Sequence, residues 1–263
     1  MDSMKMQDAI PGVYVIPNFL DRFGEGYDQK LIEELLNMPA SKRGDITQHF
    51  FGNTYAGIVK NRFMRGGIND INKEVNYRNE FPPELKRMVD WFNTECLEID
   101  QANVNLYVPG QGLGLHRDEP KVAKKFEPWV FTVSLGSHAE MCLVSDGGPR
   151  ELVSLPAKSA LLLTREALYC WRHGISEAGD EKAERPGIPL DAPLLAGSPF
   201  CRISINLRCT RNWVSGEPAP SEQGRQMSPV EFKRAWIAIG ESAELIDQAL
   251  PGLTQFSVFR AVA

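Results

Sequence analysis

No run of about 18 apolar residues occurs in the 263-residue chain, so no segment reads as a membrane-spanning helix. The opening MDSMKMQDAIPG lacks a basic start followed by an apolar stretch, which predicts no signal peptide and a cytoplasmic protein, with the nucleus left open. Cysteine is scarce. Cys96, Cys142, Cys170, Cys201 and Cys209 are odd in number and form no CxxC, which argues against a disulfide framework and predicts buried, reduced thiols. A basic excess is also missing: the net charge is −5, where most nucleic-acid binders are basic. Residues 41–73 depart from that average, with Lys42, Arg43, Lys60, Arg62, Arg65 and Lys73 against Asp45 and Asp70, a local net of +4. A solvated surface and a phosphate-binding face explain this segment about equally well. Histidine is limited to His49, His116, His138 and His173.

What is present centres on residues 103–118, NVNLYVPGQGLGLHRD. An alternating strand ends at Pro109-Gly110, a turn pair, and a glycine-rich stretch leads to His116-Arg117-Asp118. On extended backbone, side chains two residues apart point the same way, so His116 and Asp118 can reach one metal ion. A further histidine completes the face of two imidazoles and one carboxylate that leaves positions open on Fe(II). His173, in RHGI after an apolar run, is the candidate. Arg202 and Arg208 follow six apart in RISINLR, on one face of a strand, and Asn105 and Tyr107 lie in phase upstream. His49 has no partner spacing and is expected on the surface or in packing; His138, after SLGS, has no place in a ligand pattern and is expected to pack, with a pocket-facing position as the alternative.

NLYVPGQGLGLHRD, SLG at 134–136, LLLTREALYCWRHGI and RISINLR together resemble the AlkB family of Fe(II)/2-oxoglutarate dioxygenases over about 103–211, with weaker similarity before. The resemblance implies a double-stranded β-helix, or jelly roll, with Fe(II), 2-oxoglutarate and O₂ as cofactor and cosubstrates. It implies His116, Asp118 and His173 as iron ligands and as the catalytic centre. Arg202 would hold the distal carboxylate of 2-oxoglutarate, helped by Asn105 and Tyr107, with Arg208 near the metal-bound end. An arginine suits this task because its planar fork binds carboxylates in bidentate fashion. Two positions of the cosubstrate pocket depart from the family: Ser204 stands where Asn is usual, and Asn206 where Thr is commoner.

Short strands punctuated by Gly and Pro are expected at 103–108, 129–135, 140–144, 151–154, 160–164, 167–171 and 201–208, after a first strand within 12–19. Helical periodicity covers Tyr27 to Leu36 and a segment opened by Pro82-Pro83, with Leu85, Met88, Val89 and Phe92 on one face. The fold class is therefore mainly β with flanking helices. The oxygenase domain is expected over 1–214, followed at 215–263 by a polar linker and a packed helical extension begun by Ser228-Pro229. The resemblance places a substrate lid at about 41–73, while an aromatic patch packed on the sheet is the plainer alternative. The long Pro- and Gly-rich loop at 176–199 is expected near the pocket mouth.

The resemblance implies oxidative demethylation of N-alkylated bases in single-stranded DNA or RNA. The alternative is the same iron chemistry on a small molecule or a protein side chain. Base-repairing relatives often carry a carboxylate two residues after the ligand Asp; here that position is Pro120, beside Glu119.

Overall fold

The computed structural model describes residues 13–43, 46–52, 77–78, 80–95, 99–117, 129–145, 150–164, 167–168, 171–175 and 187–209. Eleven strands are found among them. They are β1 (Val13–Ile16), β2 (Ser41–Arg43), β3 (Ile46–Gly52), β4 (Tyr77–Arg78), β5 (Gln101–Tyr107) and β6 (Trp129–Gly136). The rest are β7 (Ala139–Val144), β8 (Arg150–Leu155), β9 (Ala160–Thr164), β10 (Arg172–Gly174) and β11 (Arg202–Arg208). Helices α1 (Tyr27–Leu36) and α2 (Pro83–Glu95) lie between the early strands, with a 3-10 turn at Phe19–Phe23.

Two sheets make the jelly roll. The larger runs β1-β9-β6-β11-β5-β3-β2, with β4 joining β3 in parallel; the smaller is β10-β7-β8. The other pairings are antiparallel. Consecutive strands therefore alternate between sheets or across the larger one, which is how a double-sheet fold buries two faces at once.

Alternation along β11 gives each face its character. Ile203, Ile205 and Leu207 join Ala102, Val104 and Leu106 of β5 and Phe131, Val133 and Leu135 of β6 in a core shared with the helices. There Leu31, Leu35, Met88 and Phe92 close the outer layer, and Phe92 meets the Phe131 ring edge-on at 4.6 Å. Phe131→Ala is expected to cost about 3–5 kcal/mol, measured by chemical unfolding, because that packed ring stack cannot collapse into the void.

Helix α2 is held to α1 by a tertiary cap. Both carboxylate oxygens of Glu34 accept from the first backbone amides of α2, Glu84 N at 2.9 Å and Leu85 N at 3.0 Å. Pro83 at the first helical position has no N–H to satisfy, so the cap falls on the next two donors. The Tyr27 hydroxyl donates to the Glu84 carbonyl at 2.6 Å, and burial pushes its pKa well above the usual range.

The inner face of the larger sheet is divided. Toward β1 and β9 it is apolar: Val13, Val15, Val130, Leu161 and Leu163 pack on Met141, Leu143, Val153 and Leu155 of the smaller sheet. Toward β11, β5 and β3 most inward positions are polar, Arg202, Ser204, Asn206, Asn105, Gln101 and Gln48, with the buried Phe50 among them. A polar half inside a sandwich is costly unless it serves a ligand or satisfies itself.

One expectation changes. Ala167 and Leu168, expected in a strand, lie in a helical turn, and the strand begins at Arg172; residues 169–170 lie outside the described residues. A short apolar run such as ALYCW cannot be assigned by periodicity alone. Within 41–73, residues 41–43 and 46–52 are strands of the larger sheet, and β3 pairs with β5 along its whole length. Phe50 and Phe51 are buried there, as the plainer alternative had it; residues 53–73 lie outside the described residues. The loop at 176–199 is described from 187, and that part bonds to the β5 turn and to the start of β7. Gly110 N donates to Pro189 O, Glu140 N to Gly187 O, and Ser137 Oγ to Pro193 O. Cys142, Cys201 and Cys209 are buried, whereas Cys96, Cys170 and 215–263 lie outside the described residues.

Candidate active site

β5 ends at the Val108–Gln111 turn, where Gly110 has φ 73°, and the chain doubles back toward β10. There His116 and His173 form a backbone bridge: His116 N donates to His173 O at 3.0 Å and His173 N to His116 O at 2.8 Å. Directly opposed residues of an antiparallel pair send their side chains to the same face. The two imidazole rings stand 4.7 Å apart. The approach requires Gly174, because a Cβ there would lie 2.6–2.9 Å from the backbone of Leu113, Gly114 and Leu115. The glycine of RHGI is thus what lets the two histidine-bearing segments meet.

His116 is also oriented. Its Nδ1 lies 2.9 Å from the Gly114 carbonyl, which can only accept, so Nδ1 carries the proton and Nε2 keeps its lone pair. A backbone carbonyl fixing the distal nitrogen is the usual support of a metal-binding imidazole. Asp118 lies outside the described residues, next to Arg117. His49 is buried on the opposite, helix-facing side of β3, against the Phe51 ring, and His138 is exposed in the β6–β7 turn. His138 is therefore surface rather than packing.

At the other end of the polar half, Arg202 is completely buried. Its Nη1 donates to the Ser137 and Leu155 carbonyls at 2.8 and 3.4 Å, and Nη2 to Ser134 Oγ at 2.8 Å. Its Nε has no partner, and among the described residues no carboxylate pairs with it. Burial lowers its pKa to about 10, opposed by the neighbouring Tyr107 and Cys201, so the group stays cationic at neutral pH. A buried, uncompensated guanidinium calls for an anion.

The residues around it form one network. Gln48 Nε2 donates to Asn105 Oδ1 at 2.6 Å, and Asn105 Nδ2 donates to the Tyr107 hydroxyl at 3.2 Å. The Tyr107 hydroxyl also bonds the Ser204 side chain. Burial raises the pKa of Tyr107 against those bonds and the Arg202 charge, so its hydroxyl remains protonated and able to donate. Asn206 is engaged on both amide atoms: Oδ1 accepts from Thr132 Oγ1 at 2.9 Å and Nδ2 donates to Asn103 O at 3.1 Å, stitching β11 to its neighbours. Arg208 shares the inward face of β11 and pairs in register with Gln101.

Gln48, Ser134 and Thr132 were not singled out from the sequence. They become site residues only through the register that sets Gln48 beside Asn105, and Ser134 and Thr132 beside Ser204 and Asn206. Alternation within β3 and β6 was the signal that could have found them.

A jelly roll with a histidine pair on one wall and a buried anion-seeking arginine on the facing sheet is the architecture of a metal-dependent oxygenase that uses a dicarboxylate. A family model described as the 2OG-Fe(II) oxygenase superfamily matches residues 12–208, three quarters of the chain, and the chain belongs to that family. That family is one of dioxygenases that use Fe(II), 2-oxoglutarate and O₂. Curated proteins similar to the chain include two that are named as AlkB homologues. One is the tRNA (carboxymethyluridine(34)-5-O)-methyltransferase ALKBH8 of Macaca fascicularis, 39% identical over 112 residues, 40% of this chain and 16% of that protein. The chain thus spans about a sixth of that relative. Another is the probable RNA/DNA demethylase ALKBH6 of Danio rerio, 24% identical over 183 residues, 65% of this chain and 71% of the relative. Among solved structures, OsALKBH1 aligns over 77% of this chain and all of its own, at 17% identity and a TM-score of 0.44. No helix among the described residues is long and apolar enough to cross a membrane.

Proposed function

We propose that the protein removes alkyl groups from nitrogen atoms of nucleobases in single-stranded DNA or RNA, with His116, Asp118 and His173 holding Fe(II) and Arg202 holding 2-oxoglutarate. The observation that carries the cosubstrate assignment is the buried Arg202, cationic and without a carboxylate among the described residues, beside a protonated Tyr107 hydroxyl. A dicarboxylate supplies the missing charge. Bound iron, with 2-oxoglutarate and O₂, supplies the oxidation: one oxygen atom enters a substrate C–H bond, and the other leaves in succinate as CO₂ is lost.

The chain's own residues do the positioning. Arg202 and Tyr107 would clamp the distal carboxylate, while Gln48 holds Asn105 with its Nδ2 turned toward Tyr107. The apolar half of the inner face, Val130, Leu161 and Leu163 against Met141 and Leu143, keeps that side of the site dry. Hydroxylation of an N-methyl carbon gives a hemiaminal, which releases formaldehyde and returns the nitrogen its hydrogen. Support for a nucleobase comes from AlkB-type relatives, one of them described as a probable RNA/DNA demethylase, and from the +4 of residues 41–73. Because a duplex base must be flipped out at a cost of a few kcal/mol, an overall acidic protein should favour single strands.

The test is to incubate the protein with Fe(II), 2-oxoglutarate, O₂ and single-stranded oligonucleotides bearing N-methylated bases. Formaldehyde and succinate should form in equal amounts, with turnover at low oligonucleotide concentration falling steeply as salt rises. Pro120, the net charge of −5 and the absence of a base-reading carboxylate at that position favour a second reading, in which the substrate is a metabolite or a protein side chain. Succinate stimulated by such a compound, without formaldehyde from any oligonucleotide, would establish that reading instead.

A further inference from the structure

Gln101, the first residue of β5, is 1% exposed, and neither its Oε1 nor its Nε2 has a hydrogen-bond partner. Buried side-chain amides are nearly always satisfied, so one left without partners on both atoms points to a bound molecule. Its neighbours in register are Arg208 on β11 and Gly52 on β3, and the glycine has no side chain to cover or pair it. Two further amide oxygens on the same face also lack partners: Asn103 Oδ1, one inward position along β5, and Gln48 Oε1.

The contrast with the Arg202 end decides what these groups await. At the Arg202 end, Asn105, Tyr107 and Ser204 bond one another and Ser134 bonds Arg202. Toward Arg208, Asn206 is paired, but both amide atoms of Gln101 and Oδ1 of Asn103 have no partner among the described residues. Six residues of extended strand separate the two arginines, roughly 20 Å. A five-carbon diacid anchored at Arg202 spans only part of that length: the long Arg208 side chain would meet its metal-bound end, and Gln101 lies beyond it. The molecule that meets Gln101 is therefore the other reactant.

We propose that Gln101, with Asn103 Oδ1 beside it, is the specificity-determining group that reads the polar edge of the substrate base. The inference rests on the nucleobase reading of the function and names the contact that would make it selective. A carboxamide offers an acceptor and a donor in one plane. Its natural complement is a planar edge with a donor and an acceptor side by side, which is how side-chain amides pair with bases. Phosphate oxygens only accept and would leave Oε1 unmet.

Gln101→Leu keeps the volume and removes both polar atoms. On a single-stranded oligoribonucleotide carrying N-methylated bases, kcat/KM for formaldehyde release should fall about 10–100-fold, since a site built to hydrogen-bond discriminates strongly when the bond is lost. The KM for 2-oxoglutarate should stay within about twofold. The Tm of the free protein should rise by about 2–6 °C, because an unsatisfied buried amide has been replaced by a hydrocarbon. A merely structural glutamine would give a lower Tm. Unchanged kcat/KM, a fall in Tm, or a raised 2-oxoglutarate KM would each overturn the assignment. If the wild-type protein releases no formaldehyde from any such oligonucleotide, the nucleobase reading is overturned. The other two readouts then decide Gln101: higher Tm with unchanged 2-oxoglutarate KM supports a substrate-side amide, and lower Tm sinks it.

Discussion

His173→Ala is expected to abolish succinate formation and to weaken binding of Co(II), used as a spectroscopic stand-in for Fe(II), by well over 100-fold. That exceeds the roughly 10–100-fold that loss of an outer hydrogen-bonding partner costs a metal site. The expectation follows from the backbone bridge that sets the His116 and His173 rings 4.7 Å apart on one face. It follows also from the Gly114 carbonyl, which leaves His116 Nε2 with its lone pair. Main-chain hydrogen bonds make the bridge, so they survive the loss of the His173 ring, and circular dichroism should show an unchanged fold. His138→Ala supplies the comparison, since His138 is exposed in the β6–β7 turn and should leave both readouts as they were. A His173→Ala protein that still binds Co(II) and turns over 2-oxoglutarate would remove this histidine from the metal centre.

Arg202→Met should raise the 2-oxoglutarate requirement about 10–100-fold, the worth of a buried charged hydrogen bond, and yet stabilise the protein without ligand. Both effects have one cause. Folding takes the Arg202 cation out of water with no carboxylate beside it among the described residues, and lowering its pKa to about 10 corresponds to a cost of roughly 3 kcal/mol. Methionine removes that cost but leaves Ser134 Oγ and the Ser137 and Leu155 carbonyls without their donor. The net gain should therefore be smaller, about 1–2 kcal/mol.

The pH dependence has a definite sign. A cation whose folded pKa is depressed weakens the fold fully below that pKa, and the cost is relieved only as pH climbs above about 10. The stability difference between wild type and Arg202→Met should then be flat across neutral pH. Millimolar 2-oxoglutarate should raise the wild-type Tm, since a ligand held by the folded state alone stabilises it, and should do far less for the variant. Equal thermal protection of both proteins would show that the dicarboxylate is held elsewhere.

Much of this was legible in the sequence because it depends on short-range periodicity. Alternation in RISINLR put Arg202 and Arg208 on one face and Ile203, Ile205 and Leu207 on the other, and β11 is built that way. The same period placed Asn105 with Tyr107, and the 3.6-residue period gave α1 its bounds at Tyr27 and Leu36. ALYCW was misjudged because a short apolar run carries no period, and β3 was obscured by the family's habit of placing a lid before the core.

What the sequence by itself determined was therefore the chemistry: which residue types stand on which face of a strand, since that is set by backbone geometry within a few residues. The tertiary structure alone decided which faces meet. His116 and His173 are 57 residues apart in the chain and are brought together by an antiparallel bridge that Gly174 permits. Gln48 and Asn105 are equally far apart, and their bond exists because β3 and β5 pair in one particular register. That Arg202 is buried without a counter-ion, and Gln101 without a side-chain partner, among the described residues depends on what is packed around them. Burial and satisfaction are properties of the whole assembled core, and no local pattern encodes them.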